Sequence, residues 1–525
     1  MSTVGIRLVE GLIARGVDTV FGIPGVHTIE LYRGLSAAGN QIRHVTPRHE
    51  QGACFMADGY ARVSGKPGVA FVITGPGVTN SLTAMAQAKA DSVPMLVISG
   101  LGRSDTLGKG LGRLHELPDQ GAMVATLCHS ETVTDAAKLG EVLDRAFAAM
   151  TSGRPGPAHI QISTNMMGVD CPPVTPPASG IASPLPLSRI RSVAATLNQA
   201  DRVVILAGGG TRGAEAPLQK LAELLDAPVI QTVNARGAMH GHPLAVPVQP
   251  SLPAARRLIR NADQILAIGT ELGPTDYDVY VDGDVPDFSG MIRIDVCADQ
   301  LARHPAKVAL KADAATMMNA LIPAVAYKNR GGAAHAATTR TDAMVELAEL
   351  SAEMPAQLAM VAAIRTVLPN AIIVGDSTQP VYAANLCYDH DRPGGWFNAA
   401  TGYGTLGFAP GAAVGAAIAA PGVPVVCLIG DGGLQFSPSE LRTAYDENLP
   451  ITFIVWNNSG FREIADSMRA AQTQVLGCDP SPLKLDAFAD ACDLPFASIT
   501  QNPDDLIRIL SVPHDGPRLL EIQVR

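Results

Sequence analysis

The chain has 525 residues, too many for a single hydrophobic core and enough for about three domains. Its net charge of -10, with no basic run, leaves no expectation of a nucleic-acid partner. The 8 cysteines are scattered without a CxxC pair, which points to a reducing compartment rather than to a zinc site or a disulfide framework.

In chain order, the sequence opens on an amphipathic helical pattern without the charged start and apolar core of a secretion signal, so a cytoplasmic location is expected. Strand-like runs follow at 19–21, 42–45, 69–73, 95–99 and 159–162. Helical patterns separate the early ones, which predicts a parallel sheet covered by helices on both faces. The Pro-rich piece 171–187 reads as a linker. Strands are expected next at 203–206, 229–231, 264–268 and 291–296, and residues 328–340, rich in Gly, Ala and Thr, read as a second linker. The alternation resumes with strands at 372–374, 425–429, 451–456 and 519–523. The expected fold class is therefore α/β, with three domains at 1–170, 188–327 and 341–525, each a mostly parallel sheet with helices on both faces. The apolar tract 406–429 is long enough to suggest a membrane span. Pro410, Pro421, Gly422 and Pro424 instead divide it into a buried helix and a buried strand, so no membrane association is expected.

The most informative segment is IGDGGLQFSPSELRTAYDENLPITFIVWNNSGF. A strand ends in Gly430-Asp431-Gly432, a helical stretch follows, and a second strand ends in Asn457-Asn458. Successive strands of a parallel sheet end at one edge, so Asp431 and Asn458 are expected to meet in space. A carboxylate, an amide oxygen and a nearby carbonyl are hard ligands of the kind that hold Mg²⁺ against phosphate oxygens. Gly432 and Gly433 leave backbone N–H groups able to approach the same phosphates. An isolated GDG is also a common turn, and the bland alternative is a metal-free βαβ unit.

The GDG…NN pair resembles the cofactor motif of thiamin diphosphate (ThDP) enzymes, and the three α/β segments resemble the order of their 2-oxo-acid decarboxylase and acetolactate synthase group. The resemblance implies a pyrimidine-binding domain at 1–170, a middle domain at 188–327 and a diphosphate- and Mg²⁺-binding domain at 341–525. It further implies a homodimer or homotetramer with active sites at the subunit interface. Asp431, Asn458 and the backbone of Gly460 become the implied metal ligands, with Gly430, Gly432, Gly433 and Asn458 against the diphosphate.

Other positions acquire roles on the same footing. Glu50, in TPRHEQGACFMADGYAR, matches the glutamate that hydrogen-bonds N1′ of the aminopyrimidine and favours its imino tautomer; the chemistry calls for a raised pKa. A solvated carboxylate in a first helical turn is the alternative. FGIPGVH, with Gly25 and His27, and TGPGVTN, with Gly77 and Asn80, look like family loops at the cofactor cleft, although turn chemistry alone also accounts for Gly77 and Asn80. His115 falls where decarboxylases of the group place a histidine and acetolactate synthases a glutamine; it is either a proton-relay residue or a loop residue facing solvent. Gly404 matches the carbonyl that accepts from the 4′-amino group. Leu406 matches the bulky side chain under the bent cofactor, or is ordinary core. Thr378 and Gln379 match the place where diphosphate oxygens are anchored, with helix capping as the rival role for Thr378.

Residues 208–213 fit GxGxxG after a strand, but the next strand ends without an acid to hold a ribose. Acetolactate synthases of the group hold FAD in the middle domain through an Arg-Phe-Asp-Asp-Arg type run, which is missing from the corresponding 269–280 here, so FAD is not expected. Glu463, shortly after Asn458, lies where family members touch the substrate side chain. A carboxylate there suits a guanidinium tail, unless Arg462 pairs with it instead. The expected reaction is decarboxylation of a small 2-oxo acid, in the manner of the branch acting on 5-guanidino-2-oxopentanoate. Carboligation of the acetolactate synthase type, and an inactive ThDP-fold binding protein, are the alternatives.

Overall fold

Short β-branched runs alternate with helical stretches along most of the chain, and a chain so patterned can only bury both faces of each strand in parallel sheets. The computed structural model describes residues 2–177, 185 and 187–524. It contains three six-stranded sheets. The first holds β1 (Thr19–Gly22), β2 (Arg43–Val45), β3 (Gly68–Val72), β4 (Met95–Leu101), β5 (His129–Val133) and β6 (Pro157–Ser163), in the order β2-β1-β3-β4-β6-β5. All its pairs are parallel. The second holds β7 (Val203–Ala207), β8 (Val229–Gln231), β9 (Ala245–Val246), β10 (Gln264–Ile268), β11 (Ile292–Asp295) and β12 (Val308–Lys311), in the order β12-β11-β10-β7-β8-β9. Read from the other side this is the doubly wound order of dinucleotide-binding folds. The third holds β13 (Ile372–Gly375), β14 (Trp396–Asn398), β15 (Val425–Gly430), β16 (Ile451–Asn457), β17 (Phe496–Thr500) and β18 (Arg518–Gln523). Its order, β14-β13-β15-β16-β18-β17, repeats that of the first sheet strand for strand.

The chain forms two compact units. One comprises Met1–Gly180, Gly402–Ser498 and His514–Arg525, the other Ile181–Thr401 and Ile499–Pro513. Within the first, the opening helix Val4–Ile13 buries Val4, Leu8, Val9 and Leu12, the stripe its spacing predicts, and Thr3 caps it by accepting from Ile6 N at 3.4 Å. The helices Glu50–Ser64 and Phe408–Ala419 cross so closely that side chains are excluded. A Cβ on Gly59 would run into the Ala412 carbonyl, and one on Gly415 into the Met56 carbonyl. Glycine is required at both places, because backbone cannot yield as a flexible side chain can. The apolar tract 406–429 resolves into the second of these helices and strand β15, and among the described residues no helix is long and apolar enough to cross a membrane.

Two expectations about linkers fare differently. Residues 171–177 carry no regular structure, while residues 178–184 and 186 of that expected linker lie outside the described residues. The second expected linker, 328–340, is corrected: most of it belongs to a helix, Gly332–Leu350. Gly331, at φ +68°, turns the chain into that helix. Gly332 then packs so tightly on the Asp226 carbonyl that no Cβ would fit, and Ala336, Thr339 and Ala343 continue the buried face. Arg330 ties the entrance down by donating to the Leu197 and Leu225 carbonyls at 2.8 and 2.9 Å. Alanine's helix propensity and this docking outweigh the loop-like composition.

Candidate active site

In the first sheet, the loops leaving β1, β2 and β3 emerge at its C-terminal edge, where α/β folds build sites. After β1, Gly25 N donates to Thr28 Oγ1 at 3.1 Å, and the Ile73 side chain lies so close to Gly25 that a Cβ would collide with it. His27 meets His115 edge to face, ring centroids 5.5 Å apart. Burial first, and the neighbouring His115 second, hold the His27 pKa below the usual imidazole value, so His27 is neutral near pH 7. Its Nδ1 and the Thr74 hydroxyl are both buried without a hydrogen-bond partner among the described residues, and Thr74 and His115 share the lining of a cavity of about 30 Å³. Buried polar atoms without partners are uncommon and mark places where a ligand group or water completes the set.

Glu50 begins the helix Glu50–Ser64 and is half-buried. Asn80, one turn into the helix Pro76–Ala90, donates its Nδ2 to Glu50 Oε2 at 3.0 Å. Asn80 is thus more than a turn residue: it holds one oxygen of the Glu50 carboxylate. Gly77 sits buried in the first turn of the same helix, its carbonyl accepting from Ser81 Oγ at 2.7 Å.

Sequence reasoning missed a second acid beside this turn. Glu440 is fully buried, and its Oε1 accepts from Arg48 N at 3.2 Å and His49 N at 3.1 Å. These are the two backbone groups immediately before Glu50. Burial raises the Glu440 pKa against the opposing hydrogen bonds from Thr443, Arg48 and His49. The signal available in the sequence was a lone acid in an otherwise apolar-faced stretch, SELRTA, which also reads as a solvated helix residue.

In the third sheet, Gly430 pairs with Trp456, so the chain after β15 and after β16 leaves side by side. Asp431, 5% exposed, accepts from Asn458 N at 3.3 Å through Oδ1 and from Gly460 N at 3.1 Å through Oδ2. The structure therefore brings Asp431, Asn458 and Gly460 together, as the parallel register demands. Burial is the largest influence on Asp431 and raises its pKa, with the backbone N–H groups pulling it down. A divalent cation would reverse that balance, and a carboxylate, an amide and backbone carbonyls are the donor set a hard cation takes, so the residues present fit Mg²⁺. Gly432 and Gly433 are buried, and a Cβ on Gly432 would lie 2.6 Å from the Phe461 ring. Gly404, at φ +77°, is exposed, and Leu406 is half-buried rather than sealed in the core.

Thr378 and Gln379 belong to the other compact unit. Thr378 precedes the helix Gln379–Cys387, is 6% exposed, and makes no side-chain cap hydrogen bond. The rival capping role is therefore not the one its hydroxyl plays.

Glu463 stands in the first turn of the helix Arg462–Ala470. Glu463 is exposed, and the chain packed near its carboxyl, and next the Asp466 carboxylate, push its pKa up. Arg462 turns away from it, donating Nε to the Asn458 carbonyl at 2.8 Å, and among the described residues no cation pairs with Glu463.

In the middle sheet, the Gly-rich turn after β7 meets the turn after β10 backbone to backbone. Gly208 N donates to Ile268 O and Gly210 N to Gly269 O, both at 3.0 Å. Those N–H groups, which a dinucleotide pyrophosphate would need, are occupied by the protein itself.

Comparison with known proteins agrees with this architecture. The N-terminal TPP binding domain of thiamine pyrophosphate enzymes matches residues 2–123, their central domain residues 190–321, and their C-terminal TPP binding domain residues 375–522. The chain belongs to the thiamine pyrophosphate enzymes, in the group that joins 2-oxo-acid decarboxylases and acetolactate synthases (thiamine pyrophosphate is ThDP). Among its relatives is a probable 2-ketoarginine decarboxylase, AruI, of Pseudomonas aeruginosa, 41% identical over 91% of this chain and 86% of the relative. The acetolactate synthase isozyme 1 large subunit of Escherichia coli is 30% identical over 98% of this chain and 93% of its own length. An acetolactate synthase large subunit of Parasynechococcus marenigrum is 31% identical over 86% and 75%.

Proposed function

We propose that this enzyme decarboxylates 5-guanidino-2-oxopentanoate to 4-guanidinobutanal and CO₂, with ThDP and Mg²⁺ as cofactors. The observation that carries the substrate reading is Glu463, a carboxylate beside the Asn458 turn whose sequence neighbour Arg462 is committed elsewhere. An exposed carboxylate with a raised pKa can take an incoming cation, and a planar guanidinium fits it with two parallel hydrogen bonds. The Pseudomonas relative supports the same substrate, since 2-ketoarginine is 5-guanidino-2-oxopentanoate.

ThDP, when bound, supplies a carbon nucleophile and an electron sink for the bond to the departing carboxylate. The chain supplies the rest. Asp431, Asn458 and the Gly460 backbone would hold Mg²⁺, with the Gly432 and Gly433 amides toward the diphosphate. Glu50, one oxygen fixed by Asn80, would present its other oxygen to N1′. His27, neutral at working pH, and His115 beside it would exchange protons with substrate and product. With the amides of the middle-sheet turn already used, FAD has no role in this reading. We further propose that the protein works in the cytoplasm as a homodimer or homotetramer.

The test is CO₂ release by the purified protein, supplied with ThDP and Mg²⁺, from 5-guanidino-2-oxopentanoate, 2-oxohexanoate and pyruvate. The highest kcat/KM is expected for the guanidino acid. Preference for pyruvate with acetolactate as product would transfer the assignment to carboligation.

A further inference from the structure

The segment 402–407 carries two of the residues assigned to the cofactor, Gly404 and Leu406, yet its own sequence gives it little stiffness. Gly404 and Gly407 have φ of +77° and +78°, and residues 402–404 are exposed. Between Gly404 and Leu406, however, Thr405 is only 7% exposed. Its backbone N–H and its hydroxyl both donate to Gln87 Oε1, at 3.3 and 2.8 Å.

Gln87 has no exposure at all, and the way its amide faces is dictated from behind. Its Nε2 donates to Asp91 Oδ2 at 2.7 Å. That carboxylate also takes Arg62 Nη2 at 2.7 Å, and Arg62 Nε reaches Asp58 Oδ1 at 2.5 Å. A carboxylate accepts and cannot donate, so the Gln87 NH₂ must face Asp91 and its oxygen must face Thr405. Arg62 further lies 5.6 Å from the centre of the Phe408 ring, the first residue of the helix into which the segment runs. Three charged side chains, none more than 3% exposed, thus fix the orientation of one neutral amide. That amide grips the segment at its midpoint.

We propose that Gln87 is a positioning residue that locks the Gly404–Leu406 segment in the conformation that receives the cofactor; this rests on the reading of Gly404 and Leu406 as cofactor contacts. With Gln87 oriented by Asp91, the peptide between Gly404 and Thr405 has one orientation, and the Gly404 carbonyl is held on the side opposite the clamped N–H. Without the clamp the glycines on either side would let that peptide rotate.

Gln87→Leu tests this in the full-length protein. Hydrogen exchange of the 402–407 amides, measured without cofactor, should accelerate, and ThDP affinity in saturating Mg²⁺, measured by calorimetry, should fall roughly 5- to 100-fold for the loss of buried hydrogen bonds. Thr405→Val removes one of the two donors and leaves the Asp91 cluster untouched, so it carries the test if Gln87→Leu fails to fold; Thr405→Ser should restore the slow exchange. Unchanged exchange in Gln87→Leu or Thr405→Val overturns the clamp. Faster exchange with ThDP affinity within twofold of wild type overturns its role toward the cofactor. Leu406→Ala separates that second failure from a failure of the underlying reading: if it too leaves ThDP affinity unaltered, the segment is not a cofactor contact.

Discussion

Glu440 shows how much a single buried carboxylate organises. It spends its oxygens on backbone N–H groups of Arg48 and His49 and on the Thr443 hydroxyl, and so holds the turn from which Glu50 projects. Such an arrangement has a pH signature. The folded pKa of Glu440 lies above its ordinary value of 4.5, so folding favours the protonated form. The contribution of Glu440 to stability is then full below 4.5 and is lost as pH rises through the folded pKa. Glu440→Gln cannot ionise. Its melting temperature should therefore gain on that of the wild type as pH rises through this window and hold a constant offset above it. Thermal denaturation as a function of pH checks this, and an offset that is the same at every pH would contradict it. Asn80 makes a related point: its hydrogen bond to Glu50 turns what reads as a loop asparagine into the partner of a half-buried carboxylate.

At the scale of elements, the strands that the sequence announces are central ones buried on both faces, apart from the edge strand β2. Runs such as β15 (VVCLIG) and β16 (ITFIVWN) are continuous apolar stretches, and their register makes the meeting of Asp431 and Asn458 foreseeable. The strands that sequence reasoning passed over are β5, β9, β12, β14 and β17, all of them at sheet edges. Edge strands bury less, so HSETV and FASIT carry little apolar periodicity, while AV and WFN are too short to carry any. The same limit hid the helix Gly332–Leu350, whose small residues look like a linker until the Asp226 carbonyl beneath Gly332 is seen. Site residues on Gly-rich turns after central strands were legible for the complementary reason, since motif and strand end coincide there. Gln87 and Glu440 were not, because a buried polar residue inside a helix has the same letters as a solvated one, and only its distant partners distinguish the two.

For the whole molecule, the identical strand order of the first and third sheets means that one chain presents two similar edges, one bearing Glu50 and the other Asp431. The interface reading places these two residues of a given site on different subunits. Glu50→Gln and Asp431→Ala, each weakly active alone, should then complement each other. Mixing the two variants after dissociation should form hybrids with one intact site and recover part of the activity. No recovery, given demonstrated subunit exchange, would contradict a shared site.

The central claim, that Glu463 selects a cationic 2-oxo acid, is tested most directly by kcat/KM for 5-guanidino-2-oxopentanoate and 2-oxohexanoate in the wild type and in Glu463→Gln. The substitution keeps the shape and removes the charge. Losing a charge-assisted hydrogen bond costs about 1.5–3 kcal/mol, so the guanidino acid should lose roughly 10- to 150-fold while the neutral analogue changes little. An equal fall for both substrates, or no fall for either, would contradict the assignment.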